Sequence, residues 1–206
     1  MENIILASAS PQRQEYLRLL GLPFTSMPPQ IKEIFNEQAE PGAIAEELAV
    51  RKVKKVLETL KNENVAANSP FPSNLTWILG ADTLICLDGK VYGKPFNRKD
   101  AGGMLHTFQG RTHQVITAIA LYNGKSGCLD CRSVVSNVTF APLSKDEIDW
   151  YLDSGEWQEA AGSYKIQGLA SCFIKEISGS YSSIVGLPVR ELYEMLKDNG
   201  YPLICH

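Results

Sequence analysis

Twelve residues near the amino terminus constrain this chain most: Ile4-Ile5-Leu6-Ala7-Ser8-Ala9-Ser10-Pro11-Gln12-Arg13-Gln14-Glu15. An apolar run of strand length ends in small hydroxyl residues and passes directly into a helix. Ser10 suits an N-cap and Pro11 suits a first helical position. Tyr16, Leu17 and Leu20 form a buried stripe, and Gly21 suits the helix stop. The same junction has the chemistry of an anion cradle. Backbone N–H groups, the positive end of the helix dipole and the Arg13 guanidinium all favour a phosphate there. An ordinary capped strand-to-helix turn would carry the same residues, so this stretch alone leaves both readings open.

The remaining chain alternates in the same manner. Phe24 to Met27 reads as a short strand, and Pro28-Pro29 opens a loop containing Glu33 and Glu37. Pro41 starts a helix running to about Lys61, with Ala45, Leu48, Ala49, Val53, Val56 and Leu60 on its apolar arc. Lys52 falls inside that arc; it either snorkels to water or points at an anion in a cleft. Residues 62–74 read as a surface loop. Thr76 to Leu79 and Leu84 to Leu87 are two apolar strands on either side of Gly80-Ala81-Asp82-Thr83. A carboxylate held between apolar strands is costly unless it is solvated, paired or ligating a metal, which makes Asp82 the leading functional candidate. A turn Asp capping backbone N–H groups is the alternative.

Further on, Asp88-Gly89 signals a hairpin, Arg98 to Phe108 a helix weakened by Gly102-Gly103, and Gln114 to Tyr122 a β-branched strand. Asn123-Gly124 turns it into a strand over Ser133 to Phe140. Ser144 caps a helix over Lys145 to Leu152, with Glu147 completing a capping box. The stretch Ala160 to Ala170 is small and Gly-bounded, as a backbone passing close to a ligand would be. Cys172 to Ile177 reads as a strand, Gly179 to Ser183 as a polar loop, and Leu187 to Lys197 as a closing amphipathic helix. The order β-α-β-α-β-β-α-β-β-α-β-α predicts an α/β fold with a mixed sheet. No linker divides residues 1–206, so a single domain is expected.

Composition excludes several functions. A net charge of −3 offers no bulk attraction to nucleic acid or an anionic membrane, so any phosphate chemistry is expected in a local site, with a metal as the expected aid. No apolar run is long enough to span a bilayer and no signal peptide opens the chain, which predicts a cytoplasmic protein. Five scattered cysteines suit reduced thiols, and the lone Cys128-x-x-Cys131 lacks the second pair a zinc site would need.

Taken together, the motifs Ser8-x-Ser10-Pro11-x-Arg13, Lys52, Gly80-Ala81-Asp82-Thr83, Gly93-Lys94-Pro95, Gly110-Arg111-Thr112-His113, Ser154-Gly155-Glu156, Ile166-Gln167-Gly168, Gly179-Ser180-Tyr181-Ser182 and Val185-Gly186-Leu187-Pro188 resemble the Maf family of nucleoside triphosphate pyrophosphatases. The resemblance covers nearly the whole chain. It implies the inosine-triphosphatase-like architecture, an elongated mixed sheet flanked by helices with two lobes and a central cleft, and a homodimer. It also implies cleavage of a nucleoside triphosphate between the α and β phosphates with a divalent metal, Mg²⁺ or Mn²⁺. In that likeness Asp82 matches the general base, and Glu33 with Asp82 the metal carboxylates. Arg13, Lys52 and Lys94 would clamp the triphosphate, while Ser8 and Ser10 would bind phosphate oxygens. Gln167 would face the base and Thr83 would assist selection. An amide at Gln167 can pair with the O4/N3–H edge of uracil or thymine, which points to the dTTP/UTP branch.

Three departures bear on specificity. Gln12 stands where the family has a second arginine, at a position linked to substrate choice. Ala160 stands where the family has a lysine, and Ala118 where it has glycine. His113 is read as structural or cleft-lining, with carboxylate chemistry taking precedence. The competing reading is a catalytically weak nucleotide-binding regulator of cell division and septum formation. The retained pair Glu33 and Asp82 favours the enzyme.

Overall fold

The computed structural model describes residues 1–31, 34, 36, 39–63 and 77–203, with only the backbone at Glu63. Glu33, Glu37, Lys32 and residues 64–76 lie outside the described residues. The elements are β1 (Ile4–Leu6), α1 (Pro11–Leu19), β2 (Phe24–Ser26), α2 (Pro41–Glu63), β3 (Trp77–Leu87), β4 (Lys90–Tyr92), α3 (Arg98–Phe108) and β5 (Thr112–Asn123). They continue with β6 (Cys128–Phe140), α4 (Lys145–Asp153), β7 (Ile174–Ser178), α5 (Tyr181–Val185) and α6 (Val189–Asp198), with 3₁₀ turns at Ala161–Ser163 and Leu169–Phe173.

One mixed sheet of seven strands organises them, in the order β2-β1-β3-β5-β6-β7, with β4 beside β3. The pairs β1–β2 and β1–β3 are parallel and the others antiparallel. Two parallel crossovers followed by hairpins match the expected α/β class. The connection leaving β1 covers one face through α1, and the connection entering β3 returns over the other face through α2. Leu17 of α1 therefore packs with Leu6 and Leu79, whereas Leu48 and Val53 of α2 pack with Ile5 and Ile78. This is the period-2 alternation of buried strands read out in three dimensions.

Several expectations are corrected. The two apolar runs around Asp82 are one continuous eleven-residue strand, β3. Gly80 and Asp82 interrupt the hydrophobic pattern, but a strand paired along its length by β5 keeps its ladder regardless of side chain. The polar stretch after Gly179 is a short helix, α5: Ser180 caps it by accepting from Ser183 N at 3.3 Å. β6 begins at Cys128, five residues earlier than expected, because all twelve residues of β5 find partners on it. Cys128 and Cys131 are three apart in an extended strand and so face opposite sides of the sheet. Helix α2 continues through Glu63, past its expected end.

Three apolar clusters fill the fold. Helix α2 and one face of the sheet enclose the first, around Leu48, Val53, Ile78, Leu84 and Ala118. On the opposite face, α1 and α6 enclose a second, around Leu17, Trp77, Leu121 and Met195. Further along that face lies the third, with Phe108, Val138, Phe140, Tyr151 and Phe173. Between the second and third runs a polar row, Thr83, Thr117 and Ser136, one residue from each of β3, β5 and β6. Thr117 and Ser136 are fully buried. That row, roofed by α5, separates the two clusters on this face.

Candidate active site

The site grows from the way β1 ends before β3 does. β1 pairs with β3 over Trp77–Leu79, and β4 pairs with it over Ile85–Leu87. Among the described residues, Gly80–Leu84 have a ladder partner on the β5 side alone. The open edge faces the carboxyl end of β1, where connections in α/β sheets diverge and ligands bind. Ser8, Ser10 and the start of α1 border it.

Glycine sets the first half of the site. A Cβ on Gly80 would sit 2.6 Å from the Ala49 carbonyl and 2.8 Å from a Val53 methyl, so α2 lies on β3 at a distance only glycine permits. Asp82 is the next residue on that face and Lys52 precedes Val53. Lys52 Nζ and Asp82 Oδ1 are accordingly joined in an ion pair, with side chains 12% and 6% exposed. The lysine on the apolar arc thus points at an anion and does not snorkel. Each charge compensates the desolvation of the other.

The second half lies on the opposite face of β3. Arg13 reaches across from α1: Nε donates to the Gly186 carbonyl at 2.9 Å, Nη1 to Ser8 Oγ at 3.2 Å and Nη2 to Thr83 Oγ1 at 3.2 Å. Gly186 closes α5 with φ 121°, a conformation that other residues rarely adopt, and this turns its carbonyl toward the arginine. Ser10 caps α1 by accepting from Arg13 N at 3.4 Å and donates to Gln12 Oε1 at 3.1 Å. The predicted capped junction is therefore formed, with the guanidinium fixed beside it. Thr83 meets Thr117 Oγ1 at 3.0 Å, and Thr117 donates to the Ser183 carbonyl at 2.7 Å.

Sequence reasoning missed Thr117, Ser183, Ser136 and Gly186 as supports. Ser183 and Ser136 hydroxyls are 2.9 Å apart, and Ser180 N donates to Ser136 Oγ at 3.0 Å. The signal was present: hydroxyl residues at inward-facing positions of otherwise apolar strands demand partners.

Lys94 and Gln167 stand apart from this cluster. Lys94 follows β4 and donates to Glu159 at 2.7 Å in an exposed pair. That contact holds the Glu159 carboxyl below its ordinary range. Gln167 is exposed on the loop between the two 3₁₀ turns. The loop is clamped from beneath: Glu156 accepts from Leu169 N at 2.7 Å, and a Cβ on Gly168 would lie 2.1 Å from the Glu156 carboxylate. Glycine there lets the carboxylate reach the backbone.

His113 is not at this site. It lies five positions along β5 from Ala118, the partner of Asp82. Its Nε2 meets the Tyr164 hydroxyl at 2.8 Å, and Phe108 and Phe140 pack on its ring. Burial pushes its pKa down to about 4, so it is a neutral core group.

Among the described residues no group of three or more His, Cys, Asp and Glu comes together. Asp82 supplies one hard carboxylate oxygen donor beside an anion-favouring helix start. Mg²⁺ binds through one or two carboxylates plus substrate phosphates, and such a donor set fits it. Glu33, the second expected carboxylate, lies outside the described residues.

Comparison with known proteins shows the fold and the family. The Ham1 protein of Staphylococcus aureus superposes with a TM-score of 0.51 at 12% identity, over 96% of this chain and 99% of that one; the two share a fold. A protein of Symbiobacterium thermophilum described as dTTP/UTP pyrophosphatase is 40% identical over 203 residues, covering 98% of this chain and 97% of the relative. Proteins of the same description from Desulforamulus reducens (39%; 99% and 100%) and Escherichia coli O157:H7 (40%; 96% and 93%) align as extensively. The family described as Maf-like protein matches residues 3–199. An open strand edge flanked by a buried Lys–Asp pair and an anchored arginine is thus set in a chain that belongs to the Maf-like protein family.

Proposed function

We propose that this protein hydrolyses dTTP and UTP to the monophosphate and pyrophosphate, acting as one two-lobed domain over residues 1–206. The observation that carries the reading is the buried Lys52–Asp82 pair on one face of β3, opposite Arg13 anchored to Ser8, Thr83 and Gly186. A carboxylate retained at such cost next to fixed cations suits a site for water and a polyanion.

In this reading the triphosphate lies along the open edge of β3. Arg13 and Lys52 bind and orient it, with Ser8, Ser10 and the Gln12 N–H at the start of α1 around its oxygens. Asp82 accepts the proton of the water that adds to the α-phosphorus, while the bond to the α–β bridging oxygen breaks. Pyrophosphate departs with that oxygen, its charge opposed by Arg13 and by Lys94 once Lys94 leaves Glu159. Gln167 reads the base edge, and Thr83 holds Arg13. Gln12, carrying no charge, contributes a hydrogen bond to Ser10 in place of a second cation. Asp82, with Glu33, would hold Mg²⁺ or Mn²⁺, which when bound supplies charge neutralisation on the phosphates. No described helix is long and apolar enough to cross a membrane; the protein is taken as homodimeric, as the family likeness implies, and as cytoplasmic, as the sequence predicts.

The test is pyrophosphate release with Mg²⁺ over a panel of nucleoside triphosphates, wild type beside Asp82→Asn. Turnover concentrated on dTTP and UTP, reduced about 100-fold or more in the variant, is expected. Saturable nucleotide binding with no turnover of any triphosphate would overturn the enzymatic reading.

A further inference from the structure

Thr117 is fully buried, hydroxylated and two strands removed from α1, and nothing in the reaction above uses it. Its hydroxyl joins two parts of the site. Thr117 Oγ1 lies 2.7 Å from the Ser183 carbonyl and 3.0 Å from Thr83 Oγ1, and it is the donor toward both, with one proton to serve them. Arg13 Nη2 can only donate, so Thr83 Oγ1 accepts from it at 3.2 Å. The contacts form one run: Arg13 to Thr83, Thr83 to Thr117, and Thr117 to the Ser183 carbonyl.

The arrangement is over-determined at its far end. Ser183 N donates to Ser180 Oγ, the Ser183 hydroxyl meets Ser136, and Gly179 lies where a Cβ would be 2.7 Å from Ser136 Oγ. Gly186, three residues after Ser183, presents the carbonyl that takes Arg13 Nε. Helix α5 thus holds the guanidinium twice, directly through Gly186 and through the two threonines.

We propose that Thr117 is a positioning residue that fixes the Arg13 guanidinium by holding the Thr83 hydroxyl oxygen in place toward it. The proposal rests on the reading of Arg13 as a triphosphate ligand. Without a hydroxyl at position 117, Thr83 Oγ1 loses the contact that holds it toward Arg13 Nη2. The guanidinium then loses one of its three described anchors and its plane is no longer set.

The test uses Thr117→Val, which keeps shape and removes both polar functions, Thr117→Ser, which keeps the hydroxyl, and each substitution repeated in Arg13→Ala. Thr117→Val should lower kcat/KM for dTTP about 10- to 100-fold, the scale of a misplaced binding group. Thr117→Ser should restore it to within about threefold, and in the Arg13→Ala background Thr117→Val should cost less than about twofold, because coupled residues are not additive. A second readout needs no turnover. In the free protein the Arg13 Nη2–H resonances should be slow to exchange in wild type and Thr117→Ser and lost in Thr117→Val, with the Nε–H and backbone spectrum otherwise unchanged. If Thr117→Val does not fold, Thr117→Ala removes the same hydroxyl and the methyl with it. Equal losses in both Arg13 backgrounds, or Arg13 Nη2–H resonances unchanged by the substitution, would overturn the proposal. A wild type that turns over no nucleotide but shows the predicted resonance changes would overturn the enzymatic reading and leave the positioning role standing.

Discussion

Below neutral pH the folded state should lose stability through His113, by an amount that follows from its surroundings. The ring is 1% exposed, packed against a tilted Phe108 and edge-on to Phe140, and its Nδ1 has no hydrogen-bond partner among the described residues. Burial lowers its pKa from 6.5 to about 4 in the folded protein. Between those values the unfolded chain binds a proton that the folded chain refuses, so stability falls as pH falls. The contribution is complete above pH 6.5 and exhausted below about 4. At about 1.36 kcal/mol per pH unit the whole loss is about 3 kcal/mol, of which about 2 has accrued by pH 5. That is a large share of the ~5–15 kcal/mol a domain possesses. Urea unfolding of wild type and His113→Gln at intervals from pH 7.5 to 5 measures it. Glutamine can still meet the Tyr164 hydroxyl but does not titrate, and the carboxylates common to both chains cancel in the difference. The wild-type curve should fall more steeply by about one proton's worth, ~1.4 kcal/mol per pH unit. Parallel curves would refute the reasoning, since they would mean that His113 accepts its proton in the folded state.

Gly80→Ala should lower stability by about 1–3 kcal/mol, because its methyl meets the α2 backbone at Ala49, which cannot rotate away. Activity should fall further than stability alone explains as Lys52 is pushed from Asp82; a destabilised but fully active variant would show that the helix contact does not set the pair. Glu159→Gln releases Lys94 from a surface pair worth ~0–1 kcal/mol, so the melting temperature should barely change while KM for dTTP falls and Lys94→Ala raises it. An unchanged KM in both would remove Lys94 from the triphosphate clamp. Gln167→Glu replaces an amide that can donate to O4 with a group that only accepts, and kcat/KM for dTTP and UTP should drop about 10- to 100-fold because O4 is left unsatisfied against a carboxylate. Retained pyrimidine preference would take base reading away from this loop.

Much of the fold and of the candidate site was legible in order along the chain, wherever local chemistry decides. The Ser10-Pro11 start of α1, the Ser144–Glu147 capping box and the hydrophobic arc of α2 are short-range patterns, and each lies where its spacing places it. Asp82 and Lys52 stood out because a charge amid apolar residues is costly wherever it falls. What tertiary structure alone decided is pairing. Whether Gly80-Ala81-Asp82-Thr83 breaks a strand depends on β5, a partner more than thirty residues away that supplies the ladder whatever side chains intervene. Likewise, the polar stretch from Gly179 leads into helix α5 at Tyr181, its cap Ser180 held by Ser136 on β6, which accepts from the Ser180 N–H. Adjacent residues of a strand face opposite ways, so Asp82 went to Lys52 and Thr83 to Arg13, a division no motif spacing reveals. The hydroxyl row from Thr83 through Thr117 to Ser136 exists only when three strands lie side by side. Composition and periodicity select elements because their energies are local; the register between distant strands selects the site, because only it determines which buried polar groups meet.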